Sequence, residues 1–128
     1  MPSLTLSDDN RDQLLQDLPD QGWFIACLCA AWCGTCGEYQ ARFLQLASQY
    51  PDLYFIWIDI EDQAAVVGDL DIENFPTLLI QYGDTPSFFG TVLPDLKLAQ
   101  RLLQAQMDQP KPGAAAGAPN LRQLLALA

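Results

Sequence analysis

Four cysteines are the most reactive side chains of this sequence: Cys27, Cys29, Cys33 and Cys36. The last two form a Cys-Gly-Thr-Cys motif that follows an apolar run and opens a helical pattern. A cysteine at a helix N-terminus lies near unpaired N–H groups and the positive end of the helix dipole, which stabilise a thiolate. Two intervening residues let the thiols approach each other, so the motif predicts a pair that cycles between dithiol and disulfide.

Histidine is absent from the 128 residues. This absence excludes Ser-His-Asp and Cys-His nucleophiles, as well as zinc sites with imidazole ligands. The formal net charge is −10, and such a chain is repelled by phosphate backbones and anionic lipid surfaces. We therefore expect neither nucleic acid nor a membrane as a partner.

The N-terminal segment, residues 1–10, is polar and acidic. It lacks the basic region and the apolar core of a secretory signal. The longest apolar stretch, residues 23–32, is too short to span a bilayer. We expect a cytoplasmic location, where clustered cysteines indicate catalysis, redox sensing or metal binding more than a structural framework.

Two continuous apolar runs, 23–29 and 53–60, predict central, mostly parallel strands that helices cover on both faces. A helical pattern over about 34–49 joins them into a right-handed βαβ unit, so the predicted class is α/β. Ser7 is expected to cap the first helix, with acidic residues in its first turn. The remaining predicted elements are strands at 4–6, 77–82 and 87–90 and helices at about 7–18, 62–70 and 95–107.

The composition changes after residue 107. Residues 108–119 are rich in proline, glycine and alanine, which predicts a flexible linker after a domain that covers residues 1–107. Residues 120–128 form a short amphipathic pattern with Asn120 as the N-cap. So short a helix is not stable alone in water, so it docks on the domain, binds a partner or frays.

The segment Phe75-Pro76-Thr77 directly precedes another predicted strand. Together with Trp-Cys-Gly-Thr-Cys after a strand, it resembles the thioredoxin family over roughly residues 4–107. The resemblance implies a thioredoxin-like fold with a central mixed β-sheet and helices on both faces. It also implies a monomeric protein disulfide oxidoreductase, whose partners are proteins with disulfides or thiols and an upstream reductase. No metal or organic cofactor is expected, because the electrons reside on the Cys33–Cys36 pair.

The resemblance assigns a role to each residue of the motif. Cys33 would be the exposed nucleophile, and Cys36 the buried thiol that resolves the mixed disulfide. Trp32 would shield the site, while Gly34 and Thr35 separate the two cysteines. Threonine replaces the proline of the commonest family motif, and we expect this change to raise the reduction potential.

The resemblance also places a partner-binding groove beside the cysteines. Pro76 would be a cis-proline opposite them, and Phe75 would offer backbone hydrogen bonds to an extended partner. Packing can hold a cis X–Pro bond because it costs only about 0.5–1 kcal/mol relative to trans. Gly90 would line the same groove.

Two departures from the family pattern affect proton transfer. The buried aspartate common six residues before the nucleophile is replaced by Cys27, and the lysine common on the next parallel strand by Trp57. Deprotonation of Cys36 therefore needs another route. Asp59 is a candidate, because it lies two residues beyond Trp57 on the same strand face. Glu38 and Glu61 are weaker candidates, and a water molecule could also serve.

Cys27 and Cys29 are two residues apart on a strand, so they face the same side, which the resemblance places beneath the active site. They could be inert core residues. They could instead form a thiol relay or an alternative disulfide that protects the nucleophile. Two further interpretations of the whole chain stay open: a redox-sensing or binding module with slow turnover, and a metal-binding domain with four cysteine ligands.

Overall fold

A five-stranded mixed sheet forms the centre of the protein, as seen in a computed structural model that describes residues 3–30, 34–68, 70, 72, 75–92, 95–108, 113, 115 and 117–127. The strand order is β1-β3-β2-β4-β5. Strands β1, β3 and β2 run parallel, and β4 and β5 are antiparallel to their neighbours. The strands are β1 Ser3–Thr5, β2 Trp23–Cys29, β3 Tyr54–Asp59, β4 Thr77–Tyr82 and β5 Thr85–Thr91.

Helices cover both faces of the sheet, as the sequence predicted. Helices α2 and α4 pack on one face, and α1, α3 and α5 pack on the other. Their bounds are α1 Arg11–Asp17, α2 Gly34–Leu46, α3 Ala64–Val67, α4 Leu96–Met107 and α5 Leu121–Leu127, with a 3-10 turn at Ala47–Gln49. Within the described ranges, no helix combines the length and apolarity needed to cross a membrane.

The continuous apolar run of β2 is explained by its central position, because every residue after Trp23 is buried on one face or the other. On the α2 side, Phe43 is fully buried, with ring centroids 5.4 Å from Phe55 and 6.0 Å from Trp57. Full burial of one such side chain stabilises the fold by about 1.5–3 kcal/mol. This aromatic cluster fixes α2 against the face of β3.

The first helix begins later than predicted. The Ser7 N–H donates to Asn10 Oδ1 at 2.8 Å, and Asn10 Nδ2 donates to the Thr5 carbonyl at 2.9 Å. These local bonds hold residues 7–10 in a turn, so α1 starts at Arg11 and Ser7 is not its N-cap. Short polar side chains compete with the helix for backbone groups in this way.

The C-terminal helix α5 packs on the domain through a buried amide. The Gln81 Nε2 group donates to Asn120 Oδ1 and to the Gly83 carbonyl, both at 2.7 Å, and its Oε1 accepts from the Leu121 N–H at 2.9 Å. Asn120 Oδ1 also accepts from the Gln123 N–H, so it caps α5. Leu121 and Leu125 are buried between α1 and α3.

Candidate functional site

Cys36 lies in the first turn of α2, at the end of the sheet where β2 finishes. Its side chain is buried, and Gly34 and Thr35 before it are exposed. The predicted nucleophile Cys33 and the predicted shielding residue Trp32 lie outside the described residues. Their roles therefore stay predictions.

Cys36 is joined by a disulfide to Cys29, the last residue of β2. The two Cα atoms are 5.8 Å apart, within the range that disulfides require. This pairing differs from the predicted Cys33–Cys36 bond, and that bond stays a prediction. The difference arises because the first turn of α2 packs over the end of β2, a tertiary contact that the spacing of the motif does not reveal. Cys29 is thus not an inert core residue in this structure.

Cys27 lies on the same side of the sheet as Cys29, in the core cluster that also holds Cys36. This agrees with the prediction from strand periodicity. Its thiol is fully buried and is the free one among the cysteines that the structure describes. Burial raises the pKa of the Cys27 thiol, because a thiolate is poorly solvated in an apolar core. Cys27 is therefore a neutral thiol at physiological pH.

The register places Cys27 opposite Trp57 on the neighbouring parallel strand. Both side chains belong to the same apolar cluster. The positions where the family commonly has an aspartate and a lysine thus hold a neutral thiol and an indole. Neither can accept a proton from Cys36 at neutral pH.

Asp59 and Cys36 line the same cavity, which has a volume of about 240 Å³ and is partly open to solvent. The register places Asp59 opposite Cys29. Its Oδ1 accepts hydrogen bonds from the backbone N–H groups of Glu61 at 2.9 Å and Asp62 at 3.3 Å, which orient the carboxylate. The structure therefore brings together Cys29, Cys36 and Asp59.

The two weaker candidates for proton transfer lie elsewhere. Glu38 lines a different pocket, together with Thr35 and Arg42. Glu61 is exposed in the loop after β3 and does not line the cavity of Cys36. Of the three carboxylates considered from the sequence, Asp59 is the one that shares a cavity with Cys36.

The Phe75–Pro76 peptide bond is cis, and Pro76 is buried. Its carbonyl accepts from the Val92 N–H at 3.0 Å, which ties the start of β4 to the end of β5. Phe75 packs against the core cluster that contains Cys29 and Cys36. Gly90 is the register partner of Leu78 on the adjacent edge strand. Thr77, directly after Pro76, pairs with Leu28, so the cis-proline lies beside the end of β2 that carries Cys29.

Tyr39, whose position in the sequence indicated only core packing, contributes a buried polar group. It is 3% exposed, and its hydroxyl has no hydrogen-bond partner among the residues that the structure describes. Burial raises the pKa of Tyr39, and negative charge at Cys27 and Asp95 would raise it further. No signal in the sequence distinguishes this tyrosine from a phenylalanine on the buried stripe of the helix.

The structure also bears on a metal centre built from four cysteines. Two of its four ligands, Cys29 and Cys36, are bonded to each other. Over the described part of the chain, no group of three or more cysteine and carboxylate side chains could hold a metal ion. While that bond is formed, these two thiols are not available as metal ligands.

The geometry of a β-strand that leads into a cysteine-bearing helix, with a cis-proline beside it, defines a thioredoxin-like site. A family model described as Thioredoxin matches residues 2–104, so this chain belongs to the thioredoxin family. Solved structures show the same fold. Wild-type thioredoxin h of poplar superposes with a TM-score of 0.71 and 21% identity, over 85% of this chain and 99% of that one. Oxidised thioredoxin O1 of Arabidopsis thaliana has a TM-score of 0.66 and 21% identity, over 82% and 97%.

Curated relatives are similar over shorter segments. Thioredoxin H-type of Picea mariana is 30% identical over 50 residues, which are 39% of this chain and 40% of the relative. Thioredoxin of Ophiophagus hannah is 38% identical over 48 residues, or 38% and 46%. Thioredoxin AMT13 of Alternaria alternata is 30% identical over 83 residues, or 59% and 70%. The chain thus spans about half the length of the first relatives that it matches.

Proposed function

We propose that this protein is a thiol–disulfide oxidoreductase that exchanges a Cys33–Cys36 dithiol or disulfide with protein partners. The observation that carries the proposal is the position of Cys36. It lies in the first turn of a helix that follows a central strand, within a Cys-Gly-Thr-Cys motif, and is already bonded to another sulfur. Membership of the thioredoxin family supports the same chemistry.

The reaction consists of two thiol exchanges. The Cys33 thiolate attacks one sulfur of a partner disulfide, and the other partner sulfur leaves and takes up a proton. Cys36 then loses its proton and attacks the Cys33 sulfur, which releases the second partner thiol. Two electrons pass to the partner, and the Cys33–Cys36 disulfide remains. An upstream reductase returns the two electrons, and no metal or organic cofactor takes part.

Asp59 is the residue that we assign to deprotonate Cys36. Asp59 and Cys36 line the same cavity, which is large enough for several water molecules. A water molecule in the cavity can carry the proton between the buried thiol and the half-buried carboxylate. Cys27 and Trp57 offer no such acceptor, so the departure from the common aspartate and lysine pair makes this route necessary.

The partner would bind beside Phe75, Pro76 and Gly90, in an extended conformation that pairs with the Phe75 backbone. Solved relatives give the chemical class of partner. One is thioredoxin f2 in a complex with ferredoxin:thioredoxin reductase, and another concerns thiol resolution in a yeast mitochondrial 1-Cys peroxiredoxin via glutathione and thioredoxin systems. We propose protein disulfides as substrates and a disulfide reductase as the electron donor, with this chain acting as a cytoplasmic monomer.

The test is reduction of insulin disulfides by dithiothreitol, followed by turbidity. We expect the wild-type protein to accelerate the reaction, Cys33→Ser to abolish the acceleration, and Cys36→Ser to accumulate a mixed disulfide. Cys27→Ala is the matched control, because it removes a buried thiol outside the proposed exchange. A Cys33→Ser variant as active as wild type, or wild type without any acceleration, would overturn the proposal.

A redox-sensing module with slow turnover is the second candidate, and the Cys29–Cys36 disulfide favours it. While Cys36 is bonded to Cys29, it cannot resolve a mixed disulfide at Cys33. Tight, oxidation-dependent capture of partners without multiple turnovers would support this candidate. Rapid multiple turnover in the insulin assay would exclude it.

A further inference from the structure

One sulfur atom, that of Cys36, belongs to two different disulfides. The proposed reaction pairs it with Cys33, and the structure pairs it with Cys29. Cys29 and Cys36 are each 1% exposed, so the bond between them lies in the core and not on the partner-binding surface. While Cys36 is held in this buried disulfide, the Cys-Gly-Thr-Cys motif cannot form its own disulfide.

We propose that Cys29 is a second exchange partner of Cys36, so that oxidation can pass from Cys33–Cys36 inward to Cys29–Cys36. The proposal rests on the proposed function only for the first disulfide, Cys33–Cys36. The second disulfide rests on the observed bond between β2 and α2.

The inward step is an isomerisation in which no electrons are gained or lost. The Cys29 thiol gives up a proton, and its thiolate attacks the Cys36 sulfur of the Cys33–Cys36 disulfide. A Cys29–Cys36 bond forms, the Cys33–Cys36 bond breaks, and the Cys33 sulfur leaves as a thiolate that takes up a proton. Disulfide count and charge are unchanged, so no external oxidant is needed.

Cys29 rather than Cys27 performs this step because of its place in the sheet. Cys29 ends β2, where the first turn of α2 brings Cys36 within a Cα–Cα distance of 5.8 Å. Its register partner is Asp59, which lines the same cavity as Cys36. Cys27 lies two residues further into the sheet, opposite Trp57, in apolar surroundings. A proton acceptor thus accompanies Cys29 and not Cys27.

The two oxidised isomers would behave differently. The Cys33–Cys36 isomer exchanges with partners at the surface. In the Cys29–Cys36 isomer, both bonded sulfurs are buried, and Cys36 is not available to resolve a mixed disulfide at Cys33. A partner captured by Cys33 then stays attached until Cys36 is freed. Oxidation would in this way convert a turnover enzyme into one that retains its partners.

The first experiment uses Cys33→Ser, which keeps Cys27, Cys29 and Cys36 and does not depend on the proposed reaction. The folded variant is treated with diamide, which accepts two electrons and two protons, and thiols are then counted by alkylation and mass spectrometry. We expect two of the three remaining thiols to disappear, with Cys29–Cys36 identified by fragmentation at acidic pH. The double variant Cys27→Ala/Cys33→Ser should form the same bond, whereas Cys29→Ala/Cys33→Ser should not. Retention of all three thiols in folded Cys33→Ser would overturn the proposal.

The second experiment maps the disulfides of wild-type protein after oxidation by one equivalent of diamide and acid quenching at increasing times. We expect Cys33–Cys36 to decline as Cys29–Cys36 increases, while the total number of free thiols stays constant. Oxidised wild type that holds Cys33–Cys36 alone at all times would overturn the relay, even with normal insulin reduction. Inactive wild type that still forms Cys29–Cys36 would instead overturn the proposed function and leave the second disulfide in place.

Discussion

Cys29 and Asp59 are register partners across the parallel strands β2 and β3. Directly paired residues of neighbouring parallel strands project from the same face of a sheet. The strands therefore deliver a sulfur and a carboxylate side by side at their carboxyl ends, where α2 begins. Ligands and reacting groups of open α/β sheets commonly meet at this edge. The reactive region is thus built by two strand ends and one helix start.

The first prediction concerns Asp59. Replacement by asparagine keeps the size of the side chain but removes the proton acceptor, so we expect insulin reduction near pH 7 to slow by at least about tenfold. The loss should shrink as pH rises toward about 9, because hydroxide then deprotonates Cys36 directly. The measurement is kcat/KM across this pH range.

Asp52→Asn is the matched control for Asp59. It removes the same charge from an exposed turn before β3 and should leave the pH profile unchanged. An Asp59→Asn profile that superposes on the wild-type profile would exclude Asp59 from proton transfer.

The second prediction concerns the amide that holds α5. Gln81→Leu removes the acceptor of the Leu121 N–H and the donor to the Gly83 carbonyl, whereas Asn120 Oδ1 keeps the Gln123 N–H. Unpaired buried groups each cost about 1–3 kcal/mol, so we expect a loss of about 2–4 kcal/mol in the free energy of unfolding. Urea denaturation measures it, and Gln45→Leu on the exposed face of α2 should change it by less than about 0.5 kcal/mol.

A double-mutant cycle tests whether Gln81 and Asn120 act together. Asn120→Ala removes the cap of α5 and should alone cost about 1 kcal/mol or more. Because the two side chains share a hydrogen bond of 2.7 Å, the double variant should lose less than the sum of the single losses. Additive losses would show that α5 is held by Leu121 and Leu125 rather than by the amide pair.

Much of the fold could be predicted from the sequence, because its signals are local. The apolar runs that became β2 and β3 have no polar face, which only a central strand covered on both sides permits. The amphipathic stripe of α2 gave the face that packs on the sheet, including Tyr39 and Phe43. The start of α1 was misplaced because serine and asparagine are both residue types that cap helices. The Ser7 N–H donates to Asn10 Oδ1, which keeps Ser7 in the turn before the helix.

The site was less predictable from the sequence, because its disulfide joins two different elements, β2 and α2. The spacing of Cys33 and Cys36 predicted a disulfide within the motif, whereas the structure joins Cys36 to Cys29 across seven residues of sequence separation. Periodicity placed Cys29 on the correct face but could not measure its distance from α2. Asp59 was identified from the same periodicity, and the shared cavity with Cys36 is visible only in three dimensions.

The third prediction concerns the hydroxyl of Tyr39. Tyr39→Phe keeps the ring in the core and removes a buried polar atom that lacks a partner among the described residues. We expect the free energy of unfolding to increase by about 1 kcal/mol, since the desolvation of that hydroxyl is not compensated. Tyr82→Phe, at a partly exposed position, should have an effect close to zero. A loss of stability in Tyr39→Phe would show that the hydroxyl is hydrogen-bonded in solution.

The last prediction concerns stability at alkaline pH. Burial raises the pKa of the Cys27 thiol above its ordinary value of 9.0, and that of Tyr39 above 10.0. Above pH 9 the unfolded chain loses the Cys27 proton while the folded chain keeps it. Stability is therefore fully present below pH 9 and falls above it, by up to about 1.4 kcal/mol per pH unit for this group.

Urea denaturation of the oxidised protein at several pH values above and below 9 measures this fall. Cys27→Ala lowers the stability below pH 9 because it leaves a small cavity, but it removes the titrating thiol and should flatten the curve just above pH 9. Tyr39→Phe should leave that part of the curve unchanged and flatten it above pH 10 instead. If the stability of Cys27→Ala declines as steeply as that of wild type just above pH 9, the Cys27 thiol ionises in the folded protein. In that case Cys27 is not in apolar surroundings in solution.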